Sequence, residues 1–132
     1  MATRRRVSPL EGRAALADWE AGDRSRDTVE TAVRYTLEEL GARAPGGSVE
    51  VRVPPHGAVQ CVEGTRHTRG TPPNVVEADA DTWLRLATGE VSWDDATTAG
   101  RISASGSRAS LAPYLPLFGS AGGRSGDAAS ES

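Results

Sequence analysis

Between His56 and Asp95 the chain gathers the residue types that could do chemistry: His56, Cys61, Arg66, His67, Arg69 and the aspartates 79, 81, 94 and 95. Cys61 with His67 would make a thiol–imidazole pair, which needs a lowered thiol pKa and access to substrate. Alternation along "AVQCVEG" instead puts Cys61 beside Val59 on one strand face, where a cysteine serves as a small buried hydrophobe. His56, Cys61 and His67 offer three zinc ligands, yet no C-x-x-C or H-x-x-x-H spacing frames them, and no metal or other cofactor is expected. Arg66, His67 and Arg69, next to Gly70, could receive a carboxylate or phosphate, because guanidinium forks fit such anions and a glycine admits backbone N–H groups. The competing reading is that these side chains hydrogen-bond the sheet edge and the carbonyls of the Pro-Pro loop. Asp79, Asp81, Asp94 and Asp95 each fall in the first turn of an expected helix, where a carboxylate satisfies free N–H groups. No residue emerges as catalytic, and catalysis is not expected.

The elements that must position these residues follow from local pattern. Ser8-Pro9-Leu10-Glu11 predicts a helix start with Ser8 as cap, running from Pro9 to Ala21 and stopped by Gly22. A second helix is predicted from the capping-box spacing of Asp27 and Glu30. Val29, Ala32, Val33, Leu37 and Leu40 form its inward face, and Gly41 or the "APGG" run ends it. The period then changes to two. "SVEVRV" turns Val49, Val51 and Val53 one way and Glu50 and Arg52 the other, and "PPHG" joins it to "AVQCVEG" as a hairpin. "NVVEA" predicts another strand, and Asp79 or Asp81 caps a helix from Ala80 to Thr88 that stops at Gly89. Ser92 caps a short helix that ends at Gly100. "RISAS" is a last strand, and an apolar segment through Leu111, Leu115 and Phe118 follows, interrupted by Pro113 and Pro116.

With 132 residues and 13.8 kDa the chain has room for one domain and one core. All fifteen basic residues are arginine and the net charge is −3, which argues against nucleic acid as the main partner. The single cysteine excludes an internal disulfide and fits a reducing cytoplasm. No stretch approaches the roughly 20 apolar residues of a transmembrane helix, and no apolar run follows the N-terminal arginines as in a signal peptide. Residues 1–7 read as a disordered basic start. Residues 119–132, rich in Gly, Ser and Ala, read as a disordered tail.

The run "VQCVEGTRHTRGTPPNVVEADADTWLRLATG" and the succession Ala96, Gly100, Ile102, Gly106, Leu111 to Leu115 resemble the sterol carrier protein family, in particular its small actinobacterial group of bacterial orthologues. The likeness extends over residues 8–118: helical from 8 to 42, strands from 47 to 78, and helix–helix–strand–helix from 79 to 118. It implies an α+β fold, a five-stranded, mixed, mainly antiparallel sheet with helices packed on one face, and a terminal apolar helix. It also implies a fatty acyl or sterol-like ligand held between sheet and helices without catalysis. The lining would come from Val51, Val53, Val59, Cys61, Trp83, Leu86, Ile102, Leu111, Leu115 and Phe118, with Arg66, His67 or Arg69 at a polar headgroup. One rival is a solid-cored interaction module that pairs with a second copy or a protein partner. The other is an accessory domain to a separate enzyme.

Overall fold

A computed structural model describes residues 7–64 and 74–118. Four helices and four strands follow the order α1 (Pro9–Glu20), α2 (Arg26–Arg43), β1 (Val49–Val53), β2 (Gly57–Cys61), β3 (Asn74–Ala78), α3 (Ala80–Thr88), α4 (Trp93–Thr98) and β4 (Ile102–Ser105). A 3₁₀ turn over Ala112–Tyr114 closes the described chain.

The helix starts are chemical. Ser8, Asp79 and Ser92 each accept a hydrogen bond from the backbone N–H three residues on, at 3.1, 2.7 and 3.0 Å. Each thereby satisfies a donor that has no partner inside its helix. Gly89, with φ of 84°, ends α3 in the left-handed conformation that a side chain disfavours. For α2 the sequence expectation needs correcting at its start. Ser25 occupies the cap position and Asp27 lies inside the first turn. Of the two stops the sequence offered, the "APGG" run is the one used: the helix continues through Gly41 to Arg43 with Ala44 as its C-cap, and Gly41 lets Val59 come close.

Among the described residues the sheet has four strands in the order β2-β1-β3-β4, where five were expected. β1 and β2 form the hairpin that the short "PPHG" turn dictates, pairing Val49 with Cys61 and Val53 with Gly57. β3 lies parallel to β1 on its other side, and β4 returns antiparallel to β3. Cross-strand neighbours share a face, so Val51 stands between Val59 and Val76, and Val76 stands beside Ala104. The helices cover this face. The opposite one carries Glu50, Arg52, Gln60, Glu77, Ser103 and Ser105, all exposed except the half-buried Glu50.

α2 lies over β2, and α1 and α3 flank it. Gly12, Ala15, Leu16 and Trp19 make the buried stripe of α1 at helical spacing. A Cβ on Gly12 would overlap the Tyr35 ring, so the absence of a side chain there sets how near α1 approaches α2. Val7, grouped with the disordered start by its sequence, is buried, and its N–H reaches Glu38 Oε1 at 3.3 Å.

Candidate functional site

The helix-side face of the sheet is the one apolar surface shared by all four strands, and it is roofed unevenly. Over β2 the roof is tight. A Cβ placed on Gly41 would lie 2.9 Å from Val59 Cγ2, and one on Gly57 would lie 3.7 Å from Leu37 Cδ1. Toward the middle, Trp83 of α3 donates its indole Nε1–H to Thr36 Oγ1 of α2 at 2.7 Å. Thr36 passes its own proton to the Ala32 and Val33 carbonyls at 2.8 and 2.9 Å. Both side chains are buried, so this relay joins two helices without leaving a polar group unsatisfied. At β4 the roof thins: Ile102 is half-buried and Ala104 is exposed, although both share a face with buried Val76 and Ala78.

The ten residues expected to line an apolar site divide into two sets. Val51, Val53, Cys61, Trp83, Leu86 and Leu111 are at most 1% exposed and belong to one contiguous core. Val59, Ile102, Leu115 and Phe118 are only partly buried and pack against that core from its margin. The first set is filling; the second is rim.

The rim includes a strap in place of the terminal helix that the family resemblance implied. Pro113 and Pro116 cannot donate backbone N–H groups, and after one 3₁₀ turn the chain is extended at Leu115. Its end is fastened at several points. The N–H groups of Leu117 and Phe118 both reach the Ala87 carbonyl near the end of α3, at 2.9 and 3.1 Å. Arg43 donates a guanidinium N–H to the Leu117 carbonyl and lies 5.0 Å from the centre of the Phe118 ring. The Phe118 ring stacks on Tyr35 at 5.8 Å. Arg43 is itself oriented by Glu39 at 2.7 Å.

A second fixed point lies where β1 and β3 begin. Buried Asn74 donates its Nδ2–H to the Ser48 carbonyl at 2.8 Å and accepts the Arg108 N–H on Oδ1 at 2.9 Å. Asn74, Thr36, Tyr35 and Arg43 were not picked out by sequence reasoning. Thr36 and Asn74 carried a usable signal: Thr36 shares a helix face with Ala32, Val33 and Leu40, and Asn74 shares a strand face with Val76.

Chemistry by Cys61 is opposed by its surroundings. The side chain is wholly buried among the valines, and burial pushes the thiol up to about 11, away from the thiolate a nucleophile needs. His56 and Cys61 sit at opposite ends of the hairpin, His56 in the turn after Val53 and Cys61 beside Val49, so they do not converge on one ion. Among the described residues no three His, Cys, Asp or Glu side chains are grouped as a metal site would require. Asp79 caps α3, and Asp81 pairs with Arg85 at 2.7 Å and with Arg24 at 3.8 Å. Asp94 and Asp95 occupy the first turn of α4. The headgroup candidates Arg66, His67 and Arg69 lie outside the described residues. None of the described helices is long and apolar enough to cross a membrane.

Residues 25–117, α2 through the strap, match the family described as bacterial SCP ortholog, where SCP denotes sterol carrier protein. No curated protein matches the chain.

Proposed function

The chain belongs to the family of bacterial SCP orthologs, and we propose that it holds a small or medium apolar ligand, fatty acyl or sterol-like, on the helix-side face of its sheet without acting on it chemically. The observation that carries this reading is the uneven roof. The apolar face continues from buried Val51 and Val76 to half-buried Ile102 and exposed Ala104, and half-buried Leu115 and Phe118 lie on the strap. A ligand entering at this margin would cover side chains that water now touches, at about 25 cal/mol per Å² of apolar surface removed from water. Burial of Cys61 and its raised pKa support a non-catalytic role. The headgroup role of Arg66, His67 or Arg69 belongs to this proposal as well.

Gentle purification followed by native mass spectrometry, with displacement of a fluorescent fatty acid as the second measurement, tests the reading. A retained lipid mass, or displacement weakened by Ile102→Asp, is the expected result. Absence of both a lipid adduct and displaceable probe overturns it.

The density of the inner set favours a second reading, in which the domain is a solid-cored interaction module. Six of the ten lining candidates are already packed against other side chains. An unliganded chain whose fluorescence and melting temperature ignore every acyl probe would select this alternative.

A further inference from the structure

The rim at Phe118 is backed by α1, through one intervening ring. Phe118 stacks on Tyr35 with 5.8 Å between ring centres and 14° between planes. Tyr35 is buried, and Gly12 of α1 seats it: a Cβ on Gly12 would overlap the ring. α1, Tyr35 and the strap therefore stand in one row, and the position of α1 sets the room in which the Tyr35 ring sits.

α1 is held lightly. It precedes residues 25–117, the span that matches the family. Its buried stripe has two large side chains, Leu16 and Trp19, beside Gly12 and Ala15. Its last turn has no basic residue and carries Glu20, which opposes the negative end of the helix. Burial, and then the charge of Glu90, raise the Glu20 carboxyl above its ordinary range. Against this stands Arg24. It donates Nη1–H to the Trp19 carbonyl at 2.6 Å, lies 4.5 Å from the centre of the Trp19 ring, and approaches Asp81 of α3 to 3.8 Å. Asp81 is engaged more closely by Arg85, at 2.7 Å, and the Arg24 and Asp81 side chains are both about half exposed. Such an ion pair contributes little. At the other end the Val7 N–H meets Glu38 at 3.3 Å. Between α1 and α2 the chain turns at Gly22, with φ of 113° and no described atom within 4 Å of where a Cβ would stand. That joint has room to swing.

We propose that α1 is a hinged cover whose docking keeps the strap closed. When α1 swings out about Gly22, Tyr35 loses its backing, Phe118 loses its stack, and the Leu117–Phe118 end leaves the Ala87 carbonyl. The rim then opens and an acyl chain enters there. α1 thus regulates the site of the proposed function, and the ligand half of this inference rests on that reading. Linkage is reciprocal, so a ligand held at the open rim loosens α1 in turn.

Hydrogen exchange of the full chain, followed amide by amide, tests the coupling without a ligand. Arg24→Ala removes the latch, and Glu20→Arg turns a repulsion into an attraction. Glu20 lies about 12 Å along α1 from Gly12, at 1.5 Å per residue. The expected result is exchange at the Leu117 and Phe118 amides about threefold faster in Arg24→Ala and about threefold slower in Glu20→Arg. The α1 amides change in step, while the β1–β3 ladder does not. In Tyr35→Leu the row is cut, and adding Arg24→Ala no longer changes the strap. Should Tyr35→Leu fail to fold by circular dichroism, the two surface variants decide alone. In stopped flow, a fluorescent fatty acid binds about threefold faster to Arg24→Ala than to wild type. Strap amides that ignore both surface variants, or that move together with the β1–β3 ladder, overturn the proposal. So does a probe that binds both chains at one rate. A probe that binds neither chain overturns the ligand reading instead, and exchange then decides whether α1 holds the strap.

Discussion

Along β2 the sheet ends beneath a helix, whereas along β4 it ends in solvent. At the first margin Gly41 brings α2 onto Val59, and Leu37 lies against the turn at Gly57. At the second, Ala104 faces the helix side and is still exposed. Both margins belong to one sheet of alternating residues, so alternation alone does not decide which inward side chains are covered. Helix placement does. α2 carries the buried set Val33, Thr36, Leu37 and Leu40, while α4, six residues long, buries only Trp93 and Ala96. A long stripe makes a deep roof and a short one makes a shallow one.

Substitutions on the two sides should differ in proportion. Trp83→Ala should lose about 4 kcal/mol of stability, the usual range for truncating a buried tryptophan, as read by urea denaturation. A loss below about 1 kcal/mol would mean that the centre of the roof is not packed as described. Thr36→Val keeps the shape but strands the buried Trp83 N–H, and should cost about 2 kcal/mol in the same measurement. At the shallow side, Ile102→Ala should cost only about 1 kcal/mol, since the side chain is half-buried. A larger loss would show that β4 is covered after all. Ser103→Lys should leave stability within about 0.5 kcal/mol in the same measurement.

Cys61 gives a pH reading of the deep side. Its folded pKa, about 11, lies above its ordinary 9.0, so the fold favours the neutral thiol. That contribution is complete below pH 9 and is lost as the pH rises from there through about 11, because only the unfolded chain ionises freely. Denaturation profiles of wild type and Cys61→Ala should therefore run parallel up to pH 9 and converge above it. Parallel profiles throughout would place the thiol in water.

Local chemistry made much of this architecture legible. The valines at 49, 51 and 53 announced which face is buried, and Ser8, Asp79, Ser92 and Gly89 marked helix ends because caps act within one turn. What escaped depended on partners far along the chain. Gly41 resembles a helix stop in sequence; only the approach of Val59, eighteen residues later, gives it a place inside the helix. The terminal segment has the leucines of a helix, yet its prolines limit it to one turn, and Ala87 and Arg43 hold what remains. Within the candidate set, strand alternation put Val51, Val53 and Cys61 on the buried face. It could not separate filling from rim, since exposure at β4 is set by how far α3 and α4 extend. Nor could it give the strand count, which came from resemblance and exceeds by one the four strands among the described residues.

The two N–H groups that converge on the Ala87 carbonyl have a mechanical consequence. A tether fused beyond Phe118 would load the two bonds to that oxygen together with the Phe118–Tyr35 stack and the Arg43 bond to the Leu117 carbonyl. Pulled from this end, the molecule should yield first where the strap meets the last turn of α3, while the hydrogen-bonded ladder between β1 and β3 stays closed.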